Sequence, residues 1–248
     1  MLVDGFSAGP TDTNCYIVAP GPGQECVVID PGIGADDDVD ARLREHRLKP
    51  VAVILTHGHF DHTFSVVPVC GARDIPAYIH PADRGQLTDP WSPVGLPKGI
   101  PLFGRLQWTE PDDVRELSDG QVLDLAGVRL RVDLAPGHTP GSVTFATTEP
   151  VELRRGEPTP VLFSGDLIFA GSVGRTDFPG GSYAALLESL ARVVLPLPDD
   201  TIVLSGHGPA TYVGHERAAN PFLAEAVPHP SGPARYGLDR SGPARYGP

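Results

Sequence analysis

The run Val51-Ala52-Val53-Ile54-Leu55-Thr56-His57-Gly58-His59-Phe60-Asp61-His62 decides how this chain is read. Five consecutive apolar residues predict a short strand covered on both faces, as in the interior of an α/β fold. Three imidazoles and a carboxylate follow it directly. Side chains so close in sequence converge on one point only where the backbone turns sharply, and Gly58 at the strand exit supports such a turn. Imidazole suits zinc, iron and other transition metals, and the carboxylate adds negative charge. The stretch is therefore a candidate metal-binding loop at the end of a buried strand.

The same local context recurs three times further along. His138 follows LRVDLAPG (130–137), Asp166 follows VLFSG (161–165), and His207 follows TIVLSG (201–206). Each polar residue stands where a β-rich run ends, and a glycine precedes it. Together they make seven candidate ligands: His57, His59, Asp61, His62, His138, Asp166 and His207. His46, His80, His215 and His229 lie outside this pattern and read as surface or packing residues.

Strand and helix signals alternate around these points. Strands are predicted at 13–19, 25–30, 77–80, 121–125, 128–135, 142–147, 160–166 and 201–207. Helices are predicted at 37–47, capped by Asp36 with Val39, Leu43 and Leu48 on one face, and at 62–70, 181–194 (capped by Ser182) and 215–226. Residues 84–116 break the rhythm. They are rich in Pro and Gly, and Trp91, Leu96, Leu102, Phe103 and Trp108 predict an ordered flap that roofs a cleft or meets a second copy. From 228 on, SGPARYG occurs twice (231–237 and 241–247), which predicts a disordered tail behind a single domain of residues 1–227.

The chain has 248 residues, 40% hydrophobic and 20% charged, enough to bury a core without disulfides. A net charge of −12 argues against nucleic acid or an anionic membrane as partner. No apolar run is long enough for a membrane span, and MLVDGFSAGP at the start lacks the basic and apolar regions of a signal peptide. The expectation is a soluble cytoplasmic chain. Of the three cysteines, Cys15 and Cys26 sit in apolar runs and read as buried structural thiols.

THGHFDH (56–62), APGHTPGS (135–142), FSGD (163–166) and LSGHGP (204–209), in this order and spacing, resemble the successive motifs of the metallo-β-lactamase superfamily over residues 13 to 226. The resemblance implies an α/β fold, an αββα sandwich of two mixed β-sheets with outer helices, and a metal site in a cleft at one sheet edge. It implies that His57, His59 and His138 hold one divalent metal ion, that Asp61, His62 and His207 hold a second, and that Asp166 bridges the two. Zinc is the first choice, with iron and manganese also compatible. A hydroxide bridging the metals would be the nucleophile, with Asp61 and Asp166 as the catalytic carboxylates.

Within the superfamily, GDLIFAGSVGRTDFPGGS (165–182) and GHGPATYVGHERAANPFL (206–223) resemble the small bacterial hydrolases related to glyoxalase II, the hydroxyacylglutathione hydrolases. That implies a small-molecule substrate, an S-2-hydroxyacyl thioester, cleaved to a hydroxy acid and a free thiol. The alternative is the persulfide dioxygenase branch, which also carries the Gly-Arg-Thr-Asp-Phe run (174–178) and would hold a single iron on His57, His138 and Asp166. A lactonase and a non-catalytic metal-binding protein rank behind both. Secreted members of the main zinc classes commonly carry Cys where this chain has Asp166, and the nuclease branches usually carry basic surfaces. Arg175 is a candidate anion contact or an ion-pair partner of Asp177; Tyr183, Tyr212 and Arg217 are weaker substrate-binding candidates. Full-length glyoxalase II grips the glutathione carboxylate with a basic C-terminal extension, whereas the segment after His207 is short and free of lysine. The thiol carrier, the acyl group and the oligomeric state stay open.

Overall fold

A computed structural model of the chain describes residues 1–98, 100, 109–151 and 158–227. Leu102, Phe103 and Trp108 of the expected flap, and the expected tail from 228 on, lie outside the described residues.

Two six-stranded mixed sheets form the centre. The first runs in spatial order β1 (Leu2–Ala8), β2 (Thr13–Ala19), β3 (Glu25–Ile29), β4 (Lys49–Ile54), β5 (Ala77–Ile79) and β6 (Val114–Glu116). Its first three strands are antiparallel, and β3 to β6 are parallel. The second contains β7 (Val122–Leu125), β8 (Val128–Leu134), β9 (Val143–Thr147), β10 (Val161–Gly165), β11 (Ile202–Ser205) and β12 (Thr211–Tyr212), also side by side in that order. Here only β10 and β11 are parallel.

Side chains alternate across each strand, so one sequence run feeds two apolar layers. In β2, Tyr16 and Val18 face the other sheet, while Cys15, Ile17 and Ala19 face helices Ala35–His46 and Val66–Gly71. In β4, Ala52 and Ile54 point inward and Val53 points out. The second sheet contributes Leu130, Val132, Phe145 and Phe163 to the inter-sheet layer, and Leu162 packs outward on Leu186, Leu190 and Leu223. Three apolar layers thus separate four structural layers, the αββα sandwich. Cys15, Cys26 and Cys70 are free, buried thiols in the layer under the first pair of helices; burial pushes the Cys26 and Cys70 thiols up to about 12. No described helix is long and apolar enough to cross a membrane.

Several elements differ from expectation at their ends. The first long helix covers Ala35–His46 and is capped by Gly34 in the left-handed region, while Asp36 accepts from the Ser65 hydroxyl instead. The expected 62–70 helix is two pieces, Phe60–Thr63 and Val66–Gly71. Ser182 does cap Tyr183–Ser189 by accepting from the Ala185 amide, after which residues 190–194 wind more widely. The expected 215–226 helix breaks at Asn220-Pro221 into Val213–Ala219 and Pro221–Glu225, since a proline nitrogen carries no hydrogen to continue the ladder. β1, β6 and β12 are additional edge-region strands.

The two sheets are stitched together at one edge. The Val143 amide donates to the Thr56 carbonyl (2.7 Å), the Asn14 amide to the Gly206 carbonyl (2.7 Å), and the Tyr16 hydroxyl to the Ser205 carbonyl (2.7 Å). This seam lies where β4, β8, β10 and β11 end. Phe145 is wholly buried at the middle of the inter-sheet layer. Phe145→Ala should lower the unfolding free energy by about 3–5 kcal/mol in urea titrations, the usual cost of such a cavity; a change below about 1 kcal/mol would show that this layer is not the stabilising core.

Candidate metal centre

All seven sequence-derived residues come together at the seam. His57 and His59 leave the end of β4, and Asp61 and His62 ride on the short helix that follows. His138 lies in the loop between β8 and β9, while Asp166 and His207 follow β10 and β11. The ligating atoms of His57, His59 and His138 lie within 4.8 Å of one another, and so do those of Asp61, His62 and His207. Asp166 stands between the two groups. Its Oδ1 is 3.4 Å from His62 Nε2, and its Oδ2 is 3.5 Å from His138 Nε2 and 3.6 Å from His207 Nε2. Glycine before His207 is a steric requirement, because a Cβ at Gly206 would collide with Asp166 Oδ1 and with the His62 ring.

The donor set fits divalent cations. His57 Nε2 and Asp166 Oδ1 are buried without a hydrogen-bond partner, a situation that costs about 1–3 kcal/mol per atom unless something satisfies them. Burial, then the neighbouring His62 and His138, hold His57 well below the ordinary imidazole range, and burial beside His138 pulls His59 down to about 3. Both are therefore neutral, the form that ligates a metal. Burial raises Asp61 and Asp166, but the adjacent His62 and His207 outweigh it and keep both carboxylates ionised. Burial opposes charge on His62 too, yet Asp166, Asp61 and Asp30 raise its affinity for a proton, marking a site that favours positive charge.

The opposite edges of the rings are also held, which fixes their orientation. His138 Nδ1 is 2.7 Å from the Arg175 carbonyl, and His207 Nδ1 is 3.1 Å from the Thr11 carbonyl. His62 Nδ1 is 3.0 Å from Asp30 Oδ2, and the Thr56 hydroxyl spans Asp30 Oδ2 (2.5 Å) and His57 Nδ1 (3.1 Å). Asp30 also accepts from the Thr56 amide (2.8 Å), so one buried carboxylate orients a histidine of each group. Asp30 is not among the seven residues that the sequence singles out; it closes a buried strand, as His138, Asp166 and His207 do, and its left-handed φ of 49° turns the chain there.

The cleft above the centre has a volume of about 660 Å³. His59, Asp61, His138, Asp166 and His207 reach its surface, and Val94 and Leu96 of the expected flap form part of its wall. Arg175 lines it as well, with its fork on Asp177 (2.7 and 2.8 Å). Tyr183 and Tyr212 are not among its lining residues. The Tyr183 hydroxyl donates to Glu225 (2.7 Å), and Tyr212 lies half-exposed on β12. Arg217 pairs with Asp199 and donates to the Leu195 and Leu197 carbonyls.

Asp83, which sequence reasoning missed, ties the ligand loops to each other. It is fully buried and accepts from the Gly58 amide (3.0 Å), the Thr139 hydroxyl (2.6 Å) and the Gly141 amide (2.8 Å). One carboxylate thus spans the loop of His57 and His59 and the loop of His138. Nothing local announces it, because its partners lie 25 to 58 residues away. Asp83→Ala should lower the unfolding free energy by at least about 2 kcal/mol, since it orphans the buried Gly58 and Gly141 amides. A loss under about 0.5 kcal/mol in equilibrium unfolding would show that the loops are held by other means.

Comparison with known proteins agrees with this architecture. The chain is 43% identical over 224 residues to an uncharacterized protein of Mycobacterium tuberculosis, covering 90% of this chain and 98% of that one. It is 33% identical over 208 residues to the hydroxyacylglutathione hydrolase GloC of Haemophilus influenzae, covering 81% and 88%. Among solved structures, the BLEG-1 B3 metallo-beta-lactamase superposes with a TM-score of 0.75 at 37% identity, covering 90% and 99%. TTHA1623 in a di-iron-bound form superposes with a TM-score of 0.69 at 36% identity, covering 89% and 100%. Residues 8–207 match the family model of the metallo-beta-lactamase superfamily, and the chain belongs to that superfamily.

Proposed function

We propose that the chain is a binuclear metal-dependent hydrolase that cleaves a thioester, in the manner of glyoxalase II. The observation that carries this reading is the position of Asp166, one carboxylate facing both ligand groups, with His62, His138 and His207 within 3.6 Å of its oxygens. In this reading His57, His59 and His138 hold one ion, Asp61, His62 and His207 the other, and Asp166 joins them. Divalent ions bound there would supply an activated water and Lewis-acid stabilisation of charge on the acyl oxygen. The 33% identity to a hydroxyacylglutathione hydrolase supports the substrate class, and the di-iron-bound relative supports the two-ion count.

The chain's own residues suit a thiolate leaving group. Asp61 is ionised, lines the cleft and accepts from the Thr13 hydroxyl (3.4 Å), so its carboxylate is placed to accept a hydrogen bond from the attacking water and orient its oxygen toward the acyl carbon. The carbon–sulfur bond then breaks, and the electron pair leaves on sulfur. A thiol has a pKa near 8.5, so the thiolate departs without a strong general acid. Among the described residues the cleft lining includes no Tyr, Lys, Cys or Ser, and a thiolate leaving group needs no such proton donor. The thiolate takes its proton from solvent, and the acyl half leaves as the carboxylate.

Metal-replete protein should hydrolyse S-D-lactoylglutathione, followed by loss of the thioester absorbance. Asp166→Ala should reduce both turnover and bound metal by more than about a hundredfold, beyond the effect of losing an outer hydrogen-bond partner. Wild-type metal loading and turnover in that variant would refute the binuclear assignment. Stoichiometric oxygen uptake with a glutathione persulfide and one iron per chain would instead identify a dioxygenase. Turnover of a β-lactam in preference to every thioester would place the chain with its lactamase relative.

A further inference from the structure

The walls of the cleft carry information about the substrate that the metal centre does not. Six apolar side chains, Phe60, Val94, Leu96, Phe169, Val173 and Phe178, surround the convergent polar residues. Two of these rings stand against different groups of the centre. Phe178 stands edge-on to His59 of the first ligand group, with ring centroids 5.8 Å apart, and Phe169 stands edge-on to His207 of the second, 5.9 Å apart. The loop that presents Phe169 and Val173 is itself anchored. Asn220 donates to the Ser172 carbonyl (3.0 Å) and Glu216 accepts from the Gly171 amide (2.8 Å), and both anchoring residues are buried. The apolar wall is therefore built into the fold.

Charge points the same way. Arg175 is the one cationic side chain among the described residues lining the cleft, setting aside the ligand histidines. Its guanidinium fork is already used: Nε and Nη2 donate to the two oxygens of Asp177, and its flat face lies 3.7 Å from the Phe178 ring centroid. The Arg175–Asp177 pair presents no net charge to the cleft. A guanidinium whose bidentate face is already matched to one carboxylate is not free to grip a second one on a thiol carrier.

Resting on the thioester reading above, we infer that this cleft selects its substrate through an uncharged apolar group, an alkyl chain or a single aromatic ring, seated against Phe169, Val173, Phe178, Val94 and Leu96. Carboxylates on the thiol carrier contribute little. The apolar group belongs to either the acyl or the thiol half, and the two are separable by experiment.

The test uses metal-replete full-length protein and two matched series. In one, acetyl, butyryl, hexanoyl and phenylacetyl thioesters are compared on neutral N-acetylcysteamine and on glutathione. In the other, the acyl group stays acetyl while the thiol half is varied from N-acetylcysteamine to phenylmethanethiol. In the series that carries the recognised group, kcat/KM should rise about 4-fold for each methylene buried until the pocket is full. Glutathione thioesters should show no advantage over neutral ones with the same acyl group. Asp177→Ala, which frees the Arg175 fork, should lower the KM of the glutathione thioesters several-fold and leave the neutral ones unchanged. Flat series, or a tenfold preference for glutathione that fades with added salt, would overturn the inference. Absence of turnover on every thioester would refute the thioester reading alone, so a binding measurement decides independently. Phenylmethanethiol should raise the melting temperature of the holoprotein more than mercaptosuccinate at equal concentration; the reverse order would overturn the inference.

Discussion

Five imidazoles and two carboxylates converge on one mostly buried point at the seam between the sheets. Polar and ionised groups taken out of water are costly unless they are paired, hydrogen-bonded or bound to a cation. Here the pairing is supplied from outside the cluster. Asp30 serves His62 directly and His57 through Thr56, main-chain carbonyls hold His138 and His207, and Asp83 holds the loops together. What those partners leave open includes His57 Nε2 and Asp166 Oδ1, and divalent ions held by the cluster would complete the balance.

The sandwich is arranged to make this convergence possible. Three apolar layers hold the two sheets face to face, and main-chain hydrogen bonds stitch them at one edge, through Val143 to Thr56 and Asn14 to Gly206. Ligands leave strands of both sheets at that same edge. A change in register or spacing at the seam would therefore move ligands of both groups. The irregular backbone that carries ligands and cleft walls is held from the far side, by Asp83 for one set of loops and by Glu216 with Asn220 for another. Pre-organisation of the site thus comes from buried polar residues that never face the cleft.

Much of this was legible in the sequence, for a physical reason. A ligand at the end of a β-rich run, with glycine before it, reports a strand, a turn and a donor together, so His138, Asp166 and His207 could be read with the 57–62 loop. Internal strands with continuous apolar runs, such as β4 and β10, were equally clear. Elements whose identity depends on distant partners were not. β1 is half-exposed with a mixed pattern, and β6 is three residues long within a Pro- and Gly-rich stretch. Asp83 lies in a single turn with no periodicity, and its meaning appears only when Gly58, Thr139 and Gly141 are placed around it. Arg175 allowed both an anion contact and an ion pair from sequence; the structure shows the ion pair with Asp177.

In the proposed centre the seven residues hold two ions that share Asp166. Anomalous-scattering maps of the metal-replete protein test it most directly, because they locate ions without reference to activity. A two-ion centre predicts two peaks about 3.5–4 Å apart, one within reach of His57, His59 and His138, the other within reach of Asp61, His62 and His207, with the Asp166 carboxylate between them. A single peak on His57, His138 and Asp166, with the Asp61, His62 and His207 group empty at saturating metal, would contradict it.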